Sequence, residues 1–140
     1  MDLATVKRVW GPMVLGAVAL VAIFRAGEGQ PALRWVGLAF GLIGLAGVIT
    51  ARYTLGRSFS VKAKATALVT TGIYSKIRNP IYVSGIIFIA GAVMMMGSPY
   101  GFGILAIVIP LQIVRARREA KVLEEAFGDE YRDYRRQTWF

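Results

Sequence analysis

Two residue types are missing from this 140-residue chain, cysteine and histidine. Without cysteine there is no disulfide framework and no thiolate for the protein's own chemistry. Without histidine the usual general base near neutral pH is gone, and the commonest zinc ligands are gone with the pair. No metal site is expected. Acidic residues are scarce as well: 8 Asp and Glu stand against 17 Lys and Arg, a net charge of +9. Chemistry here must rest on Asp, Glu, Tyr, Arg, backbone groups or a cofactor.

What the chain has in abundance is apolar. Hydrophobic residues make up 56% and the mean hydropathy is +0.54, above the roughly 45–50% of an ordinary soluble domain. In a soluble protein the basic excess would suggest nucleic acid. In a chain this apolar the basic residues face a membrane surface instead, so membrane lipids are the expected partner and nucleic acid is not. The length suits one domain.

Four apolar stretches organise that domain, and they predict an all-α integral membrane fold of about four transmembrane helices. The first, "VWGPMVLGAVALVAIF", lies between Arg8 and Arg25; the second, "WVGLAFGLIGLAGVITA", lies between Arg34 and Arg52. Both are slightly short of the roughly 20 residues of a spanning helix, a shortfall that snorkelling Arg and Lys can cover. From Asn79 to Val114 no residue is charged. That run is too long for one span, and "GSPYG" at 97–101 supplies a turn, so helices three and four are expected as a tight hairpin. Pro110 should kink the fourth helix.

Basic residues set the orientation. They crowd the middle loop (Arg52, Arg57, Lys62, Lys64, Lys76, Arg78) and the tail from Arg115 onward, and are absent from the turn at 97–101. Both termini and the middle loop are therefore expected in the cytoplasm. The single domain, 1–140, then divides into two N-terminal transmembrane helices over 1–54 and the loop, hairpin and tail over 55–140. Gly37, Gly41 and Gly44 share one face of the second helix, the pattern of close helix packing in membranes. The tail, "RARREAKVLEEAFGDEYRDYRR", is amphipathic, with Leu123, Phe127, Tyr131 and Tyr134 at helical spacing. It is expected as a cytoplasmic amphipathic C-terminal helix, and by composition alone it could simply rest on anionic headgroups. Gly128 should end one helical segment and Asp129 start the next.

The polar stretch "GIYSKIRNPIY" at 72–82 stands at the threshold of the third apolar run. Pro80 suits the first turn of a helix, which puts Tyr82 just inside it. If loop and tail share a side, Tyr74, Arg78, Asn79 and Tyr82 can meet Arg115, Glu119, Tyr131 and Tyr134. Such a pocket has cationic, anionic and aromatic walls where water is scarce. It suits a zwitterionic, partly aromatic ligand.

Three blocks carry a resemblance: "LGRSFS" at 55–60, "LVTTGIYSKIRNPIYVSG", and "REAKVLEEAFGDEYRDYRR". In order and spacing they resemble the isoprenylcysteine carboxyl methyltransferases and their relatives, the membrane phospholipid methyltransferases, in a bacterial-type form. The likeness covers roughly the C-terminal 85 residues. It implies a membrane enzyme, in the bacterial inner membrane, that transfers a methyl group from S-adenosylmethionine. Tyr74, Arg78, Pro80 and Tyr82 fall on the family's loop motif, and Glu119, Phe127, Gly128, Tyr131 and Tyr134 on its tail motif. Asn79 stands where eukaryotic members carry histidine, and Ala120 replaces the second acid of the usual pair.

The resemblance implies these roles. Tyr74, Arg78, Asn79, Pro80, Tyr82, Glu119, Tyr131 and Tyr134 would form the cofactor site, with Arg78, Arg115 and Glu119 closest to catalysis. Glu119 would pair with the cofactor's ammonium or ribose hydroxyls, Arg78 with its carboxylate, and Arg115 would steer an anionic acceptor. Methyl transfer from a sulfonium needs no metal and little acid–base help, and positioning alone can supply up to about 7–11 kcal/mol. The acceptor favoured by the resemblance is the carboxylate of a lipophilic, isoprenylcysteine-like compound; a phospholipid amine or a small thiol is the alternative, as is a non-catalytic scaffold. A small multidrug carrier is disfavoured, because none of the four apolar stretches holds the ionisable residue that proton coupling needs.

Overall fold

The computed structural model describes residues 3–56 and 68–140, and side chains from Met13 onward. Among the described residues five α-helices follow one another: α1 Leu3–Ala26, α2 Pro31–Leu55, α3 Pro80–Met96, α4 Tyr100–Phe127 and α5 Asp129–Gln137, with a short 3-10 turn, Gly72–Ser75, before α3. The described residues contain no strand, only a single parallel bridge between Ile77 and Trp139. The all-α expectation holds. Arg57 to Ser60 of the "LGRSFS" block, and Lys62 and Lys64, lie outside the described residues.

Two helices, α2 and α4, are long and apolar enough to cross a membrane. Their apolar windows are only 17% and 11% buried within the protein, the reverse of a core helix in a soluble domain, where the apolar face is covered. The apolar segment Met13–Ala26 of α1 and the whole of α3 are shorter. Large side chains such as Leu15, Ile43, Phe102 and Ile107 point outward without cover.

Helix ends follow their local chemistry. Pro31 and Pro80 each occupy the first turn of their helix, where a missing N–H costs nothing. Gly97 ends α3 in the left-handed region at φ 65°, and it does so against the backbone of Gly29. Any side chain there would be both strained and obstructed. Gly128, at φ 52°, separates α4 from α5, as the tail sequence suggests.

The tightest seam joins α2 to α3. Gly37, Gly41 and Gly44 are buried on one face of α2. A Cβ at Gly37 would stand 2.6 Å from the Gly91 carbonyl oxygen, and one at Gly44 would stand 2.7 Å from Phe88 Cα. Gly91 in turn abuts the backbone of Gly41, whose other neighbour is the fully buried Leu20 of α1. These glycines pack helices, as small residues do where apolar lipid supplies no driving force between them.

One expected boundary moves. The fourth apolar stretch and the start of the tail form one continuous helix through Pro110 and on to Phe127. Between Val114 and Phe127 lie mostly Arg, Ala, Glu, Lys and Leu, all strong helix formers, and no breaker. Only α5 is a separate tail helix. Glu119 is therefore carried rigidly on the same rod as the apolar stretch.

Candidate functional site

The site is built where the loop before α3 meets α4 and α5. Gly72, at φ 59°, opens the 3-10 turn, and the amides of Tyr74 and Ile77 donate to the carbonyls of Thr71 and Ile73 at 3.1 Å each. The carbonyl of Asn79 then accepts from the amides of Tyr82 and Val83, both at 3.1 Å. This closes the first turn of α3 over the fully buried Pro80. The Asn79 side chain makes no capping bond; its backbone does the local work.

Tyr82, projecting from that turn, donates its hydroxyl to Glu119 Oε2 at 2.8 Å. Ala116, one turn before Glu119, is buried, and its small side chain suits a close approach of α4. Across the loop, Tyr134 of α5 donates its hydroxyl to the carbonyl of Tyr74 at 2.8 Å. Tyr131 and Tyr134 pack with ring centroids 6.2 Å apart, and Tyr131 is wholly buried.

Two buried polar atoms here have no partner among the described residues, Arg78 Nε and Tyr131 Oη. They are close enough that the Arg78 charge acts on both Tyr131 and Tyr134. A buried donor left unsatisfied costs roughly 1–3 kcal/mol. Two of them beside a charge-bearing loop make a cradle for a polar ligand.

Burial holds the phenols of this cluster protonated. Desolvation raises Tyr134 from its ordinary value of 10.0 up to about 12, with the neighbouring Tyr131 adding to the rise and Arg78 opposing it. Tyr131 is raised for the same first reason, against the pull of Arg78 and Arg135. Tyr74 is raised by desolvation and then by the nearby Glu119 carboxylate. At neutral pH these tyrosines are hydrogen-bond donors.

The structure thus brings Tyr82 to Glu119, Tyr74 to Tyr134, and Arg78 to the two tail tyrosines. Arg115 is exposed on α4 and reaches Tyr82 only through its charge; it stands at the rim. A polar groove of about 360 Å³ lined by Ser75, Glu130, Asp133, Tyr134 and Gln137, among others, touches the cluster only at Tyr134 and includes neither Tyr82 nor Glu119.

One part of the site had no counterpart in the motif. The segment after α5 lies beside the loop: Arg78 N donates to Trp139 O at 3.1 Å, Asn79 N to Phe140 O at 2.9 Å, and Trp139 N to Lys76 O at 3.1 Å. Thr138 caps the end of α5 by donating to Tyr134 O at 2.9 Å. The available signal was the β-favouring composition of Thr138, Trp139 and Phe140 directly after a helix.

Residues 32–130 match the family described as phospholipid methyltransferase. The chain belongs to the phospholipid methyltransferase family. The matched span includes Tyr74, Arg78, Tyr82 and Glu119 and stops one residue before Tyr131. The chain is also 34% identical over 129 residues to the nickel-cobalt-cadmium resistance protein NccN of Alcaligenes xylosoxydans xylosoxydans, covering 89% of this chain and 59% of that relative. It therefore spans well under two thirds of that relative's length. No solved structure matches.

Proposed function

We propose that this chain is an integral membrane enzyme that transfers a methyl group from S-adenosylmethionine to a lipophilic acceptor. The observation that carries the reading is the 2.8 Å contact between Tyr82 and Glu119, set beside the unpartnered Arg78 Nε and Tyr131 Oη. An acid, a guanidinium and a buried phenol match the ammonium, carboxylate and hydroxyl groups of that cofactor. When bound, the cofactor supplies the electrophilic sulfonium methyl. Glu119 would hold a cationic group, with Tyr82 fixing the carboxylate's orientation. Arg78 would take a carboxylate through its fork of donors. Tyr131 and Tyr134 would cover the site and exclude water.

The membrane arrangement we propose has four spans, with α3 and α4 as a hairpin and both termini in the cytoplasm of a bacterial inner-membrane protein. Exposed aromatic residues support it. Trp35 and Tyr53 stand out from α2 18 positions apart, about 27 Å along a helix, close to the thickness of a bilayer's hydrocarbon core. Such spacing suits two interfacial belts.

For the acceptor, a phospholipid amine is favoured over a carboxylate by one observation. Glu119, a carboxylate, faces the site while Arg115 is at its rim. An amine must shed a proton as it is methylated, and in this reading Glu119 would take it. The name of the NccN relative ties that protein to nickel, cobalt and cadmium. With neither cysteine nor histidine, this chain lacks the thiolate and imidazole ligands such metals commonly take, so any tie to metals would run through membrane chemistry.

The test is transfer of labelled methyl from S-adenosylmethionine into bilayers of phosphatidylethanolamine, of a prenylated cysteine, or of neither. Label in the first, lost in Glu119→Ala, is expected. Label in the second alone would return the carboxylate acceptor, and label in neither would overturn the enzyme reading.

A further inference from the structure

Beyond Tyr82 and Glu119, the line between α3 and α4 holds one more polar side chain. Gln112 lies in the apolar part of α4, where "GFGILAIVIPLQIV" offers no other hydrogen-bonding side chain. It shares a helical face with Ala116 and Glu119, four and seven positions on. An amide in such surroundings is costly unless it has a partner, and Gln112 makes no side-chain hydrogen bond among the described residues.

Opposite it on α3 is Gly85, three positions after Tyr82. This glycine differs from those of the α2 seam. A Cβ on Gly37, Gly44 or Gly91 would strike backbone, whereas one on Gly85 would meet only Gln112 Nε2, at 3.5 Å. Gly85 therefore has room for a methyl group in ordinary contact with the Gln112 amide, and no backbone closes on it. The space lies one to two helical turns deeper than the Tyr82–Glu119 pair, roughly 5–10 Å along the helices.

We infer that Gln112, facing the space at Gly85, is a polar subsite that binds an ester carbonyl of a glycerophospholipid acceptor. This rests on the reading of the chain as a lipid methyltransferase and names a further contact for its acceptor. A lipid whose amine lies at Glu119 carries its ester linkages about one headgroup length deeper, the level at which Gln112 donates. A prenylated cysteine has only hydrocarbon at that depth and offers the amide no acceptor.

The experiment compares diester with diether phosphatidylethanolamine, which differ in the ester carbonyls. Retention of each by the full chain is read by native mass spectrometry, in wild type, Gln112→Leu and Gly85→Leu. S-adenosylhomocysteine binding is measured by calorimetry on the same preparations. Wild type should retain the diester about tenfold better, the worth of one hydrogen bond, and Gln112→Leu should equalise the two. Gly85→Leu, which fills the space, should retain neither lipid while still binding S-adenosylhomocysteine. Equal retention by wild type, a preference that survives Gln112→Leu, or undiminished retention by Gly85→Leu would overturn the subsite. Lack of S-adenosylhomocysteine binding with the ester preference intact would instead overturn the methyltransferase reading and leave the subsite standing.

Discussion

The two sides of α3 are built on opposite plans. Toward α2 it meets backbone with backbone, through Gly37, Gly41, Gly44 and Gly91. Toward α4 it meets side chains, through Tyr82 and Glu119 at one level and Gly85 and Gln112 at another. The first plan leaves no room, its polar side chain being the small buried Ser84 against Gly47, and it fixes where α3 stands. The second leaves space and polar atoms, and the candidate chemistry lies there. A rigid seam on one side is what lets a sparse one on the other keep its geometry.

Breaking the tight side should have the largest effect. Gly91→Leu forces a side chain into the Gly41 backbone and should destabilise by on the order of 3 kcal/mol or more, read as loss of monodisperse protein in detergent. Gly85→Ala is the control on the open side. It should keep the fold, with stability unchanged or raised by up to about 1 kcal/mol.

On the open side, Glu119→Ala should lower methyl transfer by roughly 100-fold or more while the thermal transition stays put. A parallel loss of both would make Glu119 a structural residue. Tyr82→Phe, which removes only the 2.8 Å hydrogen bond, should cost about tenfold in rate.

Next in size is the contact that ties α5 to the loop. Tyr134→Phe deletes the buried bond to the Tyr74 carbonyl and should cost about 1–2 kcal/mol, with faster hydrogen exchange over residues 72–79. The same bond has an alkaline signature. The Tyr134 phenol titrates at about 12 in the folded chain against an ordinary 10.0. Its contribution is thus complete below pH 10 and lost as the pH rises toward 12. In Tyr134→Phe that part of the stability decline should be shallower.

The smallest effect should come from the charged surface. Arg132 pairs with Glu124 at 3.2 Å and Asp129 at 2.8 Å, but Arg132 and Asp129 are exposed and Glu124 is only half-buried. Arg132→Ala should cost less than about 1 kcal/mol, and less again in high salt.

Much of this contrast can be read from residue spacing. Glycines at 37, 41 and 44 mark a packing face because a helix returns to one side every three to four positions. Pro80 marks a first turn because its missing N–H is free there, and that places Tyr82. The pairing of Tyr82 with Glu119 follows once loop and tail share a side. Other features depend on contacts far apart in the chain. The β-favouring Thr138, Trp139 and Phe140 hint at extended backbone, but nothing local tells that Trp139 and Phe140 accept bonds from Arg78 and Asn79, since an isolated bridge has no alternating run. Arg115 sits in a basic cluster, and whether such a residue points inward or out is decided by the rotation of α4. Gln112 is a single amide in an apolar run, and its meaning came only with Gly85 opposite it.

The central claim is that the polar atoms on the open side of α3 and beneath the tail form a cofactor site. Calorimetry of S-adenosylhomocysteine with the purified protein tests it most directly, run on wild type, Glu119→Ala and Tyr131→Phe. Saturable binding to wild type, weakened at least tenfold in Glu119→Ala and severalfold in Tyr131→Phe, is the predicted result. Folded wild type that binds nothing across several lipid compositions, or variants that bind as wild type does, would contradict it.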